Sequence, residues 1–446
     1  MTDRPVSVER LGIEHVSEDQ RHGSPGRVFT LWFAANLTIA DYVVGVLCVI
    51  PSASGGFGLT LAQCIPVLLA GNLLGGLFLG LAAAMGPSQG FPQMMSSRAA
   101  FGRLGNYVMG SLNWVSTIGW FSVNTILSVI ALQVILPGAN FALGALAYVV
   151  IQAVIALYGH DFIHLFEKAM SVVLGVLFLL IFALSVNRLG SAFAYVPSTG
   201  GSTLGAIGIC LVASFSYLMS WSPYASDYSR YLPSGTSKSR VALLALAGGA
   251  VSSFAVEVVG AIVGSLTPGM SPFGGLNSFA GAFGALAMVT LILGAFAADA
   301  LNLYTNSLSA LVLDIKTSRL KMVAAGAAAG LVISLAVGPS FELFFEYFLL
   351  GLSYWITPWL AIILVDFYLA KRTTPEATAT SRGVDRKVMA VYALSVLVSV
   401  PFMNLSSLIG FEGPVSVALQ HADVSYFVSF GVALVLTILL RRRERN

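Results

Sequence analysis

Apolar stretches long enough to cross a lipid bilayer recur along the whole of this sequence. Windows bounded by charge, glycine or proline predict twelve spans, at 28–50, 58–83, 107–136, 140–158, 165–187, 203–226, 240–267, 280–313, 320–338, 342–370, 388–409 and 424–440. A helix needs roughly 20 residues to cross a hydrocarbon core of about 30 Å. Only 10% of the 446 residues are charged, whereas soluble domains have about 25%. The sequence therefore predicts an all-α integral membrane protein with twelve transmembrane helices.

The positions of Lys and Arg predict the orientation of these spans. An even number of spans places both termini on one side, and cytoplasmic loops carry most of the Lys and Arg. If the N-terminus is cytoplasmic, 22 of the 23 Lys and Arg residues lie on that side and only Arg188 lies outside. The first 27 residues are polar and do not resemble a cleavable signal peptide. We expect a multi-pass protein of the cytoplasmic membrane with both termini in the cytoplasm.

The same reading divides the chain into five segments. They are a cytoplasmic N-terminal tail at 1–27, a ten-helix core at 28–370, a cytoplasmic loop at 371–387, two additional spans at 388–440 and a basic cytoplasmic tail at 441–446.

Histidine and cysteine positions do not predict a metal centre or a disulfide framework. The three cysteines lie singly in apolar segments and all five histidines fall in predicted tails or loops. His160 and His164 are four residues apart beside Asp161, a spacing compatible with a metal pair. Since no further ligand is near in the sequence, a solvated loop is the favoured interpretation.

Two of the predicted spans contain polar stretches that interrupt a helix. Span 1 reads FAANLTIADYVVG (33–45) and span 6 reads YLMSWSPYASDYSRY (217–231), and each ends its interruption with an Asp-Tyr pair. Irregular backbone is tolerated inside a membrane only where protein or a water-filled cavity satisfies its polar groups. If spans 1–5 and 6–10 are inverted halves, the two breaks correspond, a pattern typical of secondary transporters with a midplane site. The alternative is that Pro223 only kinks a helix and Asp41 only caps one.

Polar side chains deep in other spans are further candidates for function. Asp299 in span 8 and Glu257 in span 7 lie within apolar runs, where ionisable residues are costly and usually face a cavity. Asn302 and Asn306 share a helix face with Asp299 because they follow it by three and seven residues. This polar stripe faces the interior of the bundle, either for binding or for interhelical hydrogen bonding alone.

Aromatic and amide side chains predict the chemistry of the ligand. Trp120 and Asn124 in span 3 are one helical turn apart, and Trp120 lies too deep for the interfacial aromatic belt. Trp120 either packs in the core or forms a pocket wall. Two indoles, Trp120 and Trp221, could enclose a flat heterocycle, and an asparagine offers both a donor and an acceptor. A planar, uncharged nitrogen heterocycle is favoured, while an amino acid held at a broken-helix N-terminus remains an alternative.

Five motifs resemble one known family. They are LWFAAN (31–36), GPSQGFPQMMSSRAAFGRLGN (86–106), WFSVN (120–124), SWSPYASDYSRYLP (220–233) and ALNLYTNSLS (300–309). Together they resemble the purine–cytosine permease branch of the nucleobase–cation symporters, and the resemblance extends through nearly all twelve spans. It implies a LeuT-like inverted-repeat bundle of spans 1–5 and 6–10 with two extra C-terminal helices, which works by alternating access.

The resemblance also implies site residues. The base would lie between Trp120 and Trp221 and bond to the amides of Asn124 and Asn302. Asn36 and Thr38 would line the break in span 1. Asp227 is expected to act as a cap or gate element and not as a ligand.

The resemblance implies a coupling cation, whose identity stays open. Sodium-coupled relatives carry hydroxyl side chains one and two residues before the first asparagine of span 8, where this chain has Ala300 and Leu301. Proton coupling is therefore favoured over Na⁺. Asp299 and Glu257 are the candidate proton carriers, and Thr305 could still contribute to a cation site.

These observations predict a secondary transporter that imports cytosine and/or purines by cation symport. The alternatives are transport of a related heterocycle (allantoin, hydantoin, uracil or a vitamin-precursor pyrimidine) or of an amino acid or compatible solute on the same fold. An enzyme is disfavoured because the predicted spans contain no histidine and no suitably paired carboxylates. No cofactor, metal or nucleic-acid partner is expected; the partners are the small-molecule base and the bilayer, and the oligomeric state is open.

Overall fold

The computed structural model describes residue 9 and residues 11–198, 202–338 and 341–444. Parts of the predicted tails lie outside this range, namely 1–8 and 10 at the N-terminus and 445–446 at the C-terminus. The described chain is helical apart from its loops and one short antiparallel ribbon between the last two spans, formed by β1, Asn404–Leu405, and β2, Phe411–Glu412.

The helices of the first half correspond to spans 1 to 5. They are α1 Gly26–Ala35, α2 Ile39–Val49, α3 Leu61–Ala83, α4 Gly86–Gln89, α5 Gln93–Ser96, α6 Arg98–Phe101, α7 Asn106–Ile135, α8 Phe141–Tyr158, α9 His160–Val186 and α10 Leu189–Ala194. Span 1 consists of α1 and α2, and spans 2 to 5 are α3, α7, α8 and α9. The short helices α4 to α6 form the loop between spans 2 and 3.

The remaining helices correspond to spans 6 to 12. They are α11 Thr203–Met219, α12 Ala225–Ser229, α13 Lys238–Leu266, α14 Pro272–Ala280, α15 Gly284–Val312, α16 Arg319–Val337, α17 Phe341–Leu364, α18 Pro375–Thr380, α19 Arg386–Ser399, α20 Ser406–Ile409, α21 Pro414–Ala418 and α22 Ser425–Arg443. Span 6 consists of α11 and α12, and spans 7 to 10 are α13, α15, α16 and α17. The last two spans are α19 and α22.

Eleven spans of the described chain are long and apolar enough to cross a bilayer, if α1 and α2 are counted as one bent span. The predicted span at 388–409 is occupied by α19, whose 14 residues rise only about 21 Å at 1.5 Å per residue. A 3₁₀ turn at Val400–Phe402 extends it. The fold class is confirmed as an all-α membrane bundle, and α19 is its shortest predicted crossing.

The break in span 1 arises because two polar side chains satisfy the exposed helix ends. The chain turns by 56° between α1 and α2. Asn36 donates its Nδ2 hydrogen to the carbonyl of Trp32, 2.7 Å away near the end of α1. Thr38 has extended backbone and accepts a hydrogen bond from the backbone N–H of Asp41, so that it caps α2. A serine, threonine or asparagine at these positions is what a helix interruption in apolar surroundings requires.

The interruption in span 6 is milder. Residues Thr203–Ser229 form one apolar run, but α11 stops at Met219 and a 3₁₀ turn at Ser222–Tyr224 follows. Pro223 lies in this turn, and since it lacks an N–H it cannot continue the hydrogen-bonding pattern of α11. Ser220 compensates by donating its hydroxyl hydrogen to the carbonyl of Tyr217, 2.6 Å away.

The packing of the helices has the internal symmetry expected of a five-plus-five repeat. Span 2 packs on span 7, span 3 on span 8 and span 4 on span 9, so each of these spans contacts its own counterpart. Other contacts occur in matching pairs. The contact of span 1 with span 5 corresponds to that of span 6 with span 10, and the contact of span 1 with span 7 corresponds to that of span 6 with span 2. Because each half has an odd number of spans, the second half runs in the opposite direction through the membrane.

Two arginines of the loop between spans 2 and 3 pair with the end of span 8. Arg98 Nη2 lies 3.1 Å and Arg103 Nε 2.8 Å from the carboxylate oxygens of Asp314. Partial burial alone would raise the pKa of Asp314, but hydrogen bonds from Arg103 and Tyr107 and the charge of Arg98 lower it to about 2. The carboxylate therefore stays ionised at neutral pH and links the two loops.

The expectation that His160 and His164 lie in a solvated loop is wrong. Both residues belong to the first turns of α9 and both are buried. The turn before them is shorter than predicted, because Gly159 ends α8 with a φ of 85° and α9 begins at the next residue. The three cysteines are free and buried, and the Sγ atoms of Cys48 and Cys210, from different spans, lie 2.9 Å apart in the core.

Span 1 and span 7 approach each other at glycines. A Cβ atom on Gly45 would lie 1.9 Å from the backbone oxygen of Glu257, and one on Gly260 would lie 2.2 Å from the oxygen of Tyr42. Such distances are shorter than any van der Waals contact. The close contact of α2 with α13 therefore depends on glycine at both positions.

We predict that Gly45→Val destabilises the protein, because the added side chain must push α2 away from the backbone of α13. Overpacking of this kind costs about 1–3 kcal/mol or more. Gly351→Val is the matched control, since a Cβ atom at Gly351 meets nothing within 4 Å. Thermal unfolding in detergent should begin at a lower temperature for Gly45→Val only; equal unfolding temperatures for the two variants would contradict this packing.

Candidate functional site

Most of the predicted site residues lie where the two interrupted spans meet spans 3 and 8, whereas Glu257 lies in a separate polar cluster. All of them are buried, with at most 5% of any side chain exposed. These residues are Asn36, Thr38, Trp120, Asn124, Trp221, Glu257, Asp299, Asn302 and Thr305.

Trp221 is held against the break in span 1. Its Nε1 donates a hydrogen bond to Oδ1 of Asn36 over 2.8 Å, and its ring packs edge-on against Trp32 with centroids 5.5 Å apart. Asn36 thus bonds to α1 through its amide nitrogen and to span 6 through its amide oxygen. This side chain is the direct link between the two breaks.

Trp120 lies apart from Trp221, and the two indole rings are not in contact in the described structure. Its ring packs edge-on against Tyr217 and Phe348, each with a centroid distance of 5.1 Å. The hydroxyl of Tyr217 is hydrogen-bonded to Thr38 Oγ1 at 2.6 Å. Among the described residues, Trp120 Nε1 has no hydrogen-bond partner. Both tryptophans are therefore buried in the bundle, and Tyr217 packs against Trp120.

Asp299 orients both predicted amides. Its Oδ1 accepts hydrogen bonds from Asn124 Nδ2 at 2.8 Å and from Asn302 Nδ2 at 2.9 Å. Its Oδ2 accepts a hydrogen bond from the hydroxyl of Tyr148 at 3.0 Å. The carboxylate thus joins α7, α8 and α15. We assign the amide orientations from this network, because a carboxylate can only accept from the NH₂ groups.

This arrangement turns the two amide oxygens away from Asp299. Asn302 Oδ1 accepts a hydrogen bond from Tyr224 at 3.1 Å and keeps a second lone pair. Asn124 Oδ1 is buried and has no partner among the described residues. A buried acceptor without a donor is costly unless a ligand supplies one. The site therefore offers acceptors to a ligand that carries N–H groups.

Thr305 is bonded within the protein. Its hydroxyl donates to Asp227 Oδ2 at 2.8 Å and lies 3.1 Å from the hydroxyl of Tyr228, which donates to the carbonyl of Leu301. The other oxygen of Asp227 accepts from the backbone N–H of Gln93 at 2.8 Å. Asp227 therefore joins span 6, span 8 and the loop between spans 2 and 3, and it does not reach the amide pair.

Glu257 lies in a separate polar cluster between spans 1, 2, 6 and 7. Its Oε2 accepts from Asn72 and, at 2.9 Å, from Ser214. Ser253, one helical turn earlier on α13, donates to Asp41 Oδ1 at 2.9 Å. One oxygen of each carboxyl group has no partner among the described residues. Two buried carboxyl groups thus line one interface, and the structure does not join them to Asp299.

Several residues of the site were not predicted as binding residues. Tyr217 and Tyr224 flank Trp221 at four and three residues, so the helical spacing that selected other residues could have found them. Tyr148 lies in an apolar span, and its distance of 151 residues from Asp299 leaves no local signal. Asp41 was predicted as part of the Asp-Tyr pair of span 1 or as a helix cap, and not as a site residue.

Comparison with known proteins gives a consistent result. Residues 15–429 match the family model described as permease for cytosine/purines, uracil, thiamine, allantoin. The chain is 29% identical to YxlA of Bacillus subtilis, with 98% of this chain and 96% of that protein covered. It is 27% identical to the purine-cytosine permease FCY2 of Saccharomyces cerevisiae, with 82% of this chain and 72% of that protein covered.

The fold is similar to that of Mhp1, a nucleobase-cation-symport-1 family transporter. Mhp1 in a closed conformation with bromovinylhydantoin bound superimposes with a TM-score of 0.78 at 19% identity, with 99% of this chain and 95% of Mhp1 covered. The inward-facing conformation of Mhp1 superimposes with a TM-score of 0.71 at 18% identity, with 98% of this chain and 96% of Mhp1 covered. At this identity the likeness concerns the fold alone.

We predict that Asn302→Ala and Asn306→Ala have different effects although the residues are one turn apart on α15. Asn302 bonds to Asp299 and Tyr224, whereas the partners of Asn306 among the described residues are Trp114 and Thr117. Loss of a buried hydrogen-bonding group costs about 1–3 kcal/mol, so Asn302→Ala should weaken binding of cytosine or hypoxanthine about tenfold or more.

Asn306→Ala is the control. It should lower thermal stability and leave the Kd, measured by calorimetry on purified protein, within about twofold of wild type. A similar loss of affinity in both variants would show that the stripe on span 8 acts through stability alone.

Proposed function

Because this chain belongs to the family of permeases for cytosine and purines, uracil, thiamine and allantoin, we propose that it imports cytosine and/or purine bases across the cell membrane by cation symport. The base lies between the aromatic side chains of spans 3 and 6. Its ring N–H or amino groups donate to the oxygens of Asn124 and Asn302. The observation that carries this proposal is the orientation of both amides by Asp299, which leaves Asn124 Oδ1 without a donor and Asn302 Oδ1 with a second lone pair.

Related heterocycles are the second candidate for the substrate. Uracil, allantoin, hydantoin and vitamin-precursor pyrimidines also present N–H groups in a flat ring, and single hydrogen bonds at the pocket edge discriminate among them. An amino acid or compatible solute has less support. That alternative would be preferred if Trp120 and Trp221 faced lipid, and both are buried in the bundle.

Alternating access uses the two interrupted spans. Hydrogen bonds from Trp221 to Asn36 and between Tyr217 and Thr38 join the breaks on either side of the proposed base. A bound base that stacks on Trp221 and bonds to span 8 contacts two groups of helices. One group is the interrupted spans, and the other is spans 3 and 8. The binding energy of the base can therefore favour the conformation in which these elements close around it.

The coupling ion is proposed to be a proton. Ala300 and Leu301 provide no side-chain ligand for Na⁺, and the Thr305 hydroxyl already donates to Asp227. Where α15 faces the break in span 1, Gly294 lies so close that its Cβ would be 2.0 Å from the oxygen of Leu37. These contacts leave few side-chain ligands for Na⁺ beside the break in span 1.

Glu257, together with Asp41, is the proposed proton carrier. Each of these buried carboxyl groups has an oxygen without a partner among the described residues, and no salt bridge to a described Lys or Arg compensates either one. Ionising both in the membrane interior would be costly. A proton held between spans 1 and 7 removes that cost. Asp299 accepts three hydrogen bonds, so we assign it to orienting the amides.

The location in the cell membrane with both termini in the cytoplasm is also part of the proposal. Its support is the distribution of charge, since the N-terminal-inside orientation places 22 of 23 Lys and Arg residues on one side.

We expect uptake of radiolabelled cytosine or a purine into cells or proteoliposomes that carry this protein. Unlabelled cytosine, hypoxanthine, uracil and allantoin compete in parallel assays, and the strongest competitor identifies the substrate class. Trp221→Ala should weaken binding of that base about 5- to 150-fold, because stacking on an aromatic ring is worth about 1–3 kcal/mol. Wild-type uptake in Trp221→Ala would remove this residue from the site.

Proton coupling predicts a specific defect in Glu257→Gln. The variant should exchange labelled for unlabelled base across a proteoliposome membrane but should not accumulate base in response to a pH gradient. Thr290→Val is a suitable control, since Thr290 is a buried polar residue of span 8 that donates only to the carbonyl of Leu286. Accumulation that requires Na⁺ and survives Glu257→Gln would refute this assignment.

A further inference from the structure

The N-terminal tail and the start of span 5 bring three potential metal ligands together. His22 Nε2 lies 2.7 Å and His160 Nδ1 lies 3.2 Å from the same carboxylate oxygen, Oδ1 of Asp161. All three ligand atoms lie within 4.8 Å of one another. Since His22 and Asp161 are 139 residues apart, this cluster exists only in the folded chain.

The hydrogen bonds on the far side of each imidazole determine where its lone pair points. His22 Nδ1 lies 2.8 Å from the carbonyl oxygen of Gln20, and His160 Nε2 lies 3.3 Å from that of Tyr228. A carbonyl can only accept, so we assign an N–H to each of these nitrogens. In neutral rings the lone pairs of His22 Nε2 and His160 Nδ1 then face a carboxylate oxygen, which is itself an acceptor. A cation between the three atoms removes this repulsion.

We propose that His22, His160 and Asp161 form a binding site for a divalent transition-metal ion, with Zn²⁺ the best match. Imidazole nitrogens and a carboxylate oxygen are Zn²⁺ ligands, and metal-binding histidines almost always donate their other ring N–H to a carbonyl or carboxylate. Tetrahedral ligands at 2.0–2.1 Å from Zn²⁺ are about 3.3 Å from one another. The two nitrogen–oxygen separations of 2.7 and 3.2 Å are close to this value, and the two nitrogens lie within 4.8 Å of each other.

A second histidine of α9 supports the site. His164 is buried, and its Nδ1 has no hydrogen-bond partner among the described residues. It lines the same small cavity as His22 and His160. Arg27 also lines this cavity, and its positive charge opposes a bound cation. We therefore expect weaker affinity than in a closed structural site with four protein ligands.

The ion would fasten the N-terminal tail across the end of span 6. The tail already contacts this end, because the carbonyl of Gly12 accepts from Arg230 Nη1 at 2.9 Å and the backbone N–H of His22 donates to the carbonyl of Tyr231 at 2.6 Å. Arg230 is fully buried beneath these residues. A metal bridge from His22 to α9 adds a link between the tail and the bundle. It therefore stabilises the arrangement in which the tail covers this end of span 6, and an effect of the bridge on uptake rests on the proposed transport function.

Metal binding is tested first on the purified full-length protein after removal of bound metal with a chelator. Titration with Co²⁺, followed by its visible absorption bands, and with Zn²⁺, followed by calorimetry, should give one site per chain. His22→Ala and Asp161→Asn should each weaken binding about tenfold or more. His15→Ala is the matched control, since His15 lies on the same tail but packs against Phe91.

The variants should elute from size exclusion as wild type does, and Asp161→Asn keeps the size of the side chain it replaces. Protection of the tail from protease by Zn²⁺ in wild type, and its absence in His22→Ala, gives a second measurement. If wild type binds no metal, or if His22→Ala binds as well as wild type, the proposal fails and protons alone occupy the cluster.

Transport gives a separate measurement. Zn²⁺ should slow uptake of the base by wild type and have little effect on His22→Ala. Binding that is lost in His22→Ala without any effect of Zn²⁺ on uptake would retain the site and refute its effect on transport. A protein that binds Zn²⁺ here but transports no base would refute the proposed function and not the site.

Discussion

Inside a membrane, a backbone or side-chain polar group without a partner costs several kcal/mol, and this constraint explains where the functional residues lie. The chain interrupts two helices, and each interruption is stabilised by a short polar side chain: Asn36 and Thr38 in span 1 and Ser220 in span 6. The same residues, or their immediate neighbours, then form contacts across the site. The groups that permit the breaks also connect them, which explains why the site and the interruptions coincide.

Asp299 has the corresponding role on the other side of the site. A single carboxylate accepts hydrogen bonds from Asn124, Asn302 and Tyr148 and so determines the direction of both amides. The carboxyl group of Glu257 lies in a different cluster, next to Asp41 and on spans 1, 2, 6 and 7. Ligand recognition and proton binding are therefore assigned to different carboxyl groups, and the interrupted span 1 contacts both regions.

Much of this arrangement could be predicted from the sequence, since it depends on local patterns. Apolar length predicted the spans, the resemblance to a known family implied the inverted repeat, and helical spacing predicted that Asn302 and Asp299 share a face. The partners of these residues could not be predicted in the same way. Tyr148 reaches Asp299, and His22 reaches Asp161, across more than a hundred residues. The expectation of a solvated loop around His160 was wrong because α9 begins directly after Gly159, so that its first turn is buried by the tail.

A structure of the protein with hypoxanthine or cytosine bound tests the central claim most directly. The account predicts density for the base beside Trp221 and Trp120, with ring N–H or amino groups within about 3 Å of Asn124 Oδ1 and Asn302 Oδ1 and with Asp299 still accepting from both amides. Density for the base elsewhere in the bundle, or a base that contacts neither amide oxygen, would contradict it.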